Sequence, residues 1–175
     1  MPASFWIRPL LCVAATTQLV ACLPGEPCGD AIRTAAATGD IIGNPGQVLG
    51  TVSLNLAESE TVTGSTMSVA LQSNLTPDGN ALRGHIVKVR ILGSEGRVFF
   101  EPPVDQLPSS VSPGPLTETM NINIDDATVL ADLRAQFVAG LLLVELTTDE
   151  TPVRQFIVST EVTSVSNTFQ RAICL

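Results

Sequence analysis

Residues 116–124 read "LTETMNINI". Met120, Ile122 and Ile124 occupy every second position, with Asn121 and Asn123 between them. A repeat of two belongs to a β-strand, whose successive Cβ atoms point to opposite faces. The stretch therefore predicts a half-buried strand, dry on one face and wet on the other.

The same period recurs on both sides of it. "QVLGTVSLNL" (47–56) sets out Val48, Val52, Leu54 and Leu56, and "TMSVALQ" (66–72) sets out Met67, Val69 and Leu71. "HIVKVRIL" (85–92) puts Val87, Val89 and Ile91 on one face, with Lys88 and Arg90 on the other. "RVFFE", "LLLVELT", "VRQFIVSTEV" and "TFQRAIC" add four more strand candidates between Arg97 and Cys174. Turn chemistry separates them: Pro77-Asp78-Gly79 is a turn signature, and "GSEG" (Gly93 to Gly96) reads as a hairpin turn. Five prolines bar regular structure from the loop 102–115.

One segment changes period. In "DDATVLADLRAQFVAG" (125–140), Val129, Leu130, Leu133 and Phe137 fall at helical spacing. Asp125 or Asp126 supplies the N-cap, and Gly140 ends the helix. The expected fold is all-β: an antiparallel sandwich or barrel of seven to nine strands, with one short crossover helix at about 126–138.

The remaining 22–46 is rich in punctuation, with Pro24, Gly25, Pro27, Gly29, Gly39, Gly43, Pro45 and Gly46. It reads as a tether that could hold one short helix between Asp30 as N-cap and Gly39 as C-cap. The expected organisation is a leader at 1–21, a tether at 22–46 and a β-domain at 47–175.

Composition narrows the function. Hydrophobic residues make up 45% of the 175 and charged ones 15%, a globular balance. Nine Lys and Arg against seventeen Asp and Glu give a formal charge of −8. Such a surface repels phosphate backbones, and no basic run appears, so nucleic acid is excluded as a partner.

The N-terminus reads as an address. After "MPASFWIR", the stretch from Pro9 to Ala21 gives thirteen mostly apolar residues. That is shorter than the roughly 20 a spanning helix needs, and fits the apolar region of a signal peptide. Ordinary cleavage before Cys22 would want small residues at −1 and −3, but −3 is Leu19. Leu19-Val20-Ala21-Cys22 instead resembles the lipobox of bacterial lipoproteins. The resemblance implies cleavage between Ala21 and Cys22, diacylglycerol on the Cys22 sulfur, and an acyl chain such as palmitate on its new amino group. Several chains, at about 0.8 kcal/mol per buried CH₂, make a durable anchor. Leu23 in place of an aspartate favours the outer membrane. Ordinary secretion of the β-domain, as an inhibitor or adhesin, is the alternative.

The lipobox also sets the cysteine arithmetic. Cys12 leaves with the leader and Cys22 carries lipid, so Cys28 and Cys174 remain. In an oxidising compartment they are expected to form one disulfide joining the two ends of the domain, with two unpaired thiols as the alternative. Closing so long a loop contributes on the order of 5 kcal/mol in the chain-entropy model.

Part of the chain resembles the CHRD domain. "GHIVKVRILGSEGRVFF" is similar to its first part through His85, Ile86, Gly93, Gly96 and Val98. "LADLRAQFVAGLLLVELTTDETPVRQFIV" is similar to its second through Leu133, Gly140, Leu142, Val144, Thr147, Pro152 and Arg154. The resemblance implies an all-β fold and no defined activity. Two family histidines are replaced, by Val87 and Leu146.

Candidates for catalysis are few. His85 is the sole histidine, and a nucleophile–base pair would have to use it, yet no G-x-S-x-G elbow accompanies it. An envelope enzyme built on His85 and a carboxylate is the competing reading. Glu58 and Glu60 read as a turn, Asp125/Asp126 as a helix cap, and Asp149/Glu150 as the connection before Pro152. No D-x-D-x-D-G loop points to calcium, and two cysteines do not make a zinc site. Phe99, Phe100 and Phe156 read as core. With Trp6 in the leader and no tyrosine, no aromatic platform for sugar is left. The sequence thus predicts a non-enzymatic envelope lipoprotein with no cofactor, metal or evident small-molecule substrate. Its partners are the membrane, through Cys22, and an envelope protein, met by a flat sheet or the loop 102–115.

Overall fold

The computed structural model describes residues 27–44, 46–74, 86–103, 107, 117–149 and 151–173. Among the described residues ten strands form two antiparallel sheets that pack face to face as a sandwich. The six-stranded sheet holds β1 (Pro27–Ile42), β2 (Val48–Ser59), β3 (Ser65–Ser73), β6 (Thr117–Ile124), β9 (Glu161–Val165) and β10 (Gln170–Ile173). The four-stranded sheet runs β5 (Val98–Phe100), β4 (Ile86–Leu92), β7 (Leu143–Thr148), β8 (Arg154–Ser159). The sheets remain separate, so the fold is a sandwich and not a barrel.

The alternation in β2, β3 and β6 gives the expected core. Val52, Leu54, Leu56, Met67, Val69, Leu71, Met120, Ile122 and Ile124 are all buried. Val89, Ile91, Val144, Leu146, Phe156 and Val158 oppose them from the other sheet. In β4 the alternation slips. The register pairs Ile86 with Thr148 and Lys88 with Thr147, leaving Val87 as the extra residue of a bulge. Ile86 is therefore buried and Val87 exposed, the reverse of the expected phase.

The tether reading of 22–46 is corrected over most of its length. β1 takes up Pro27–Ile42, sixteen residues, and no helix forms between Asp30 and Gly39. It pairs with β2 along one edge and, on the other, with β9 above and β10 below. Alanine and glycine favour other structures locally; pairing on both edges overrides that preference. The small residues also have a packing reason. Ala31, Ala35 and Ala37 are buried where β1 passes close to the second sheet, and a Cβ on Gly39 would lie 2.3 Å from the Ser159 carbonyl oxygen.

That approach occurs where the chain changes sheets. "VRQFIVSTEV" is not one strand but two, β8 and β9, divided at Thr160. Thr160 is buried, and both its N–H (3.3 Å) and its hydroxyl (2.9 Å) donate to the Leu142 carbonyl. With β1 included, the strand count rises above the expected seven to nine.

The helix α1 (Ala127–Val138) carries the chain from β6 to β7, from one sheet to the other. Asp126 is its N-cap, accepting from the N–H groups of Thr128 (2.7 Å) and Val129 (3.1 Å). At the other end Gly140 takes φ 66°, with Leu141 N–H bonded to Gln136 O and Gly140 N–H to Phe137 O. This is the Schellman pattern of a left-handed C′ residue. Leu130, Leu133 and Phe137 form its buried face. The "GSEG" segment is the expected β4–β5 connection, with Glu95 and Gly96 at φ 59° and 74°. The Pro77–Gly79 turn and nearly all of the loop 102–115 lie outside the described residues.

Two predictions follow from these contacts. Gly39→Val, which drives a side chain into Ser159 and Val158, should cost about 1–3 kcal/mol in denaturant unfolding. The two backbone N–H bonds hold the Asp126 carboxyl below its ordinary pKa. A depressed folded-state pKa stabilises above the ordinary value and loses that contribution as pH falls through the depressed one. Thermal melts in acid should therefore fall more steeply for the native protein than for Asp126→Asn, which caps without titrating.

Candidate functional site

Where β1 and β2 run together at the end of the sandwich nearer Pro27, the inward-facing row Leu54–Leu56 continues to a charge. Glu58 is 1% exposed and is opposed in register by Arg33. Arg33 Nε donates to its Oε2 at 2.9 Å and Nη2 to its Oε1 at 3.1 Å, a two-point clamp. Arg134, on α1, donates from Nη1 to the same Oε2. Its Nη2 donates to the Ser166 carbonyl at 2.9 Å and to Asn167 Oδ1 at 3.4 Å. The Arg33 guanidinium stacks 4.6 Å above the Phe169 ring.

The cluster therefore ties together β1, β2, α1 and the β9–β10 connection. Ser166 is also bonded through its N–H to Thr34 O at 2.8 Å. Two guanidiniums around one carboxylate leave a local excess of positive charge in an acidic protein, but every donor described points at an acceptor within the cluster. Its chemistry is structural bracing. The sequence reading of Glu58 as part of a turn is corrected: β2 runs on to Ser59, and Glu58 keeps its inward phase. Glu60 lies beyond the strand end, exposed, 3.1 Å from Arg171.

Asp30 is not a helix cap. Its Oδ2 accepts from the Ser59 hydroxyl (3.4 Å) and the Thr61 hydroxyl (3.2 Å), bracing the turn between β2 and β3. On the outer face of the four-stranded sheet, Glu145 lies between Lys88 (3.2 Å) and Arg90 (3.8 Å), and Arg90 also meets Glu101 at 2.8 Å. The partly exposed Arg90–Glu101 pair contributes about 1 kcal/mol or less, whereas Glu145 itself is buried.

The outer face of the six-stranded sheet is of another character. Register places Thr34, Ala57, Thr66 and Asn123 in one row across four strands. Ala36, Asn55, Ser68 and Asn121 form the next, and Thr38, Ser53, Ala70 and Thr119 the third. None of the twelve is charged or large, so covering these three rows requires no desolvation of ions; the flanking positions Asp40 and Glu161 are charged and exposed.

His85, Ala21, Cys22 and Cys174 lie outside the described residues, as does Glu150. Cys28 is in β1, where its backbone pairs with Ala172 of β10, and Pro27 pairs with Ile173. Phe156 is buried, and Phe99 and Phe100 are partly buried against the core. Of the two positions where the CHRD pattern carries histidine, Val87 is the exposed bulge residue and Leu146 is fully buried. Among the described residues no three His, Cys, Asp or Glu gather into a metal-binding group, and no helix is long and apolar enough to cross a membrane. Comparison with protein-family models, with curated proteins and with solved structures returns no match.

Removing the Glu58 carboxylate leaves two guanidiniums facing each other in a largely buried site. Glu58→Ala should cost about 3–5 kcal/mol in chemical denaturation, the range for a buried charge deprived of its partner. Glu60→Ala, at an exposed pair, should cost less than about 1 kcal/mol.

Proposed function

We propose that the protein is a lipid-anchored lipoprotein of the bacterial cell envelope, held at the outer membrane, with a non-enzymatic β-sandwich that serves structure or protein binding. Leu19-Val20-Ala21-Cys22 carries this reading. The fold supports it in one respect. β1 begins at Pro27, five residues beyond Cys22, and at about 3.5 Å per residue the anchor lies no more than roughly 18 Å from the first strand. The domain is thus held close to the bilayer, with the Glu58 cluster at its near end. The uncharged rows on the six-stranded sheet offer a partner protein a face with little ionic desolvation cost. The CHRD-like segments agree with an all-β domain without an active site.

The Cys28–Cys174 disulfide belongs to the same proposal and rests on the cysteine count left by the lipobox. β1 and β10 are neighbours at this end, and Cys174 is the residue after Ile173, the partner of Pro27. A bridge there would close the base of the domain where the leash enters it.

Intact mass and N-terminal peptide mapping of the protein from membranes test both statements. The expected product begins at Cys22, carries diacylglycerol and an amide-linked acyl chain, and is 2 Da lighter than its reduced form. Cys22→Ser should move the protein to the soluble fraction. An unmodified chain beginning elsewhere would overturn the anchor, and two alkylatable thiols would overturn the bridge.

A further inference from the structure

The edge strands β5 and β6 of the two sheets lie on the same side of the sandwich, and among the described residues a cleft lies between them. A cleft of about 300 Å³ enters there, walled by Phe99 and Phe100 from β5, by Ile122 and Ile124 from β6, and by Met67 and Leu133 behind them. Its volume is at the lower end for small-molecule pockets. Val129 forms one lip, and Asp125 and Asp126 form the rim. Both carboxylates are exposed, Asp126 already accepting from the Thr128 and Val129 N–H groups, and among the described residues no basic side chain lines the cleft. The nearest described guanidinium in contact with a wall residue is Arg97, which stacks on Phe99 at 4.9 Å and is itself paired with Asp132.

An apolar slot ending in two carboxylates selects a ligand of matching polarity. We propose that this cleft binds a small elongated apolar molecule carrying an ammonium group, its hydrocarbon part between Phe100, Met67 and Leu133 and its cation at Asp125 and Asp126. An anionic amphiphile of the same length would set its charge against both carboxylates. A neutral one would gain only the apolar walls. The inference is independent of the lipid anchor, since it rests on side chains of the folded domain.

The probes are decyltrimethylammonium, decyl sulfate and decyl maltoside, each below its micellar concentration, titrated into the purified protein with amide shifts followed by NMR. The cation should shift the amides of Phe99, Phe100, Val129 and Leu133, and should bind at least about tenfold more tightly than the sulfate, as opposite rather than like charge at the rim requires. Asp125→Asn should weaken the cation several-fold, whereas Glu60→Gln, a carboxylate away from the cleft, should not. Val129→Phe, which fills the lip from a half-exposed position, should abolish binding with the melt retained. Equal affinity for the three probes, shifts elsewhere on the surface, or the same loss from Glu60→Gln would overturn the proposal.

Discussion

Glu58 continues a row of core leucines, and folding takes its charge almost wholly out of water. A carboxylate in that position is tolerable only if opposite charge and hydrogen bonds replace its hydration. Arg33 supplies a two-point clamp from the neighbouring strand, and Arg134 a third bond from the helix. Each arginine then holds something more: Arg33 the ring of Phe169, Arg134 the backbone of Ser166. The longest strand, its hairpin partner, the crossover helix and the return towards β10 are thus fixed at one point. Apolar packing alone, being non-directional, would not specify that convergence.

The parts of the fold legible in the sequence are those where local pattern and tertiary demand agree. β2, β3 and β6 announce themselves by period two because one face meets the core and the other meets water. α1 announces itself at both ends, through Asp126 and Gly140, whose conformations are local requirements. β1 is illegible for the opposite reason. Its inward row is Ala31, Arg33, Ala35, Ala37, Gly39 and Ile41, mostly small residues, with Gly39 set against Ser159 of the second sheet, and small residues carry no strand signature. Val87 misled because a bulge changes phase without changing composition. The break at Thr160 is hidden within one continuous β-prone run. Glu58 could have been found had the alternation of "VSLNLAES" been carried two residues further, with Arg33 and Arg134 considered as partners; acidity at a strand end read more simply as a turn.

The architecture also bears on how the protein would serve at a membrane. The end of the domain from which β1 emerges is the most heavily cross-braced, by the Glu58 cluster, by Asp30 on the β2–β3 turn, and by the pairing of β1 with β10. With a lipid on Cys22, as proposed, four residues would separate the anchor from Pro27. The two sheets then present different chemistries sideways: ion pairs around Glu145 on one, short uncharged side chains on the other. A protein partner meeting the second face would be selected by shape and hydrogen bonding more than by charge.

The claim that Glu58 binds these elements together is tested most directly by a double-mutant cycle on Glu58 and Arg134, using Glu58→Leu, Arg134→Leu and the pair, measured by denaturant unfolding. If the ion pair is the brace described here, Glu58→Leu strands both guanidiniums while Arg134→Leu leaves Glu58 with the Arg33 clamp alone, so the pair of changes should cost less than the sum of the single ones, with a coupling of about 1–3 kcal/mol. Additive single effects, with no coupling between the two sites, would contradict it.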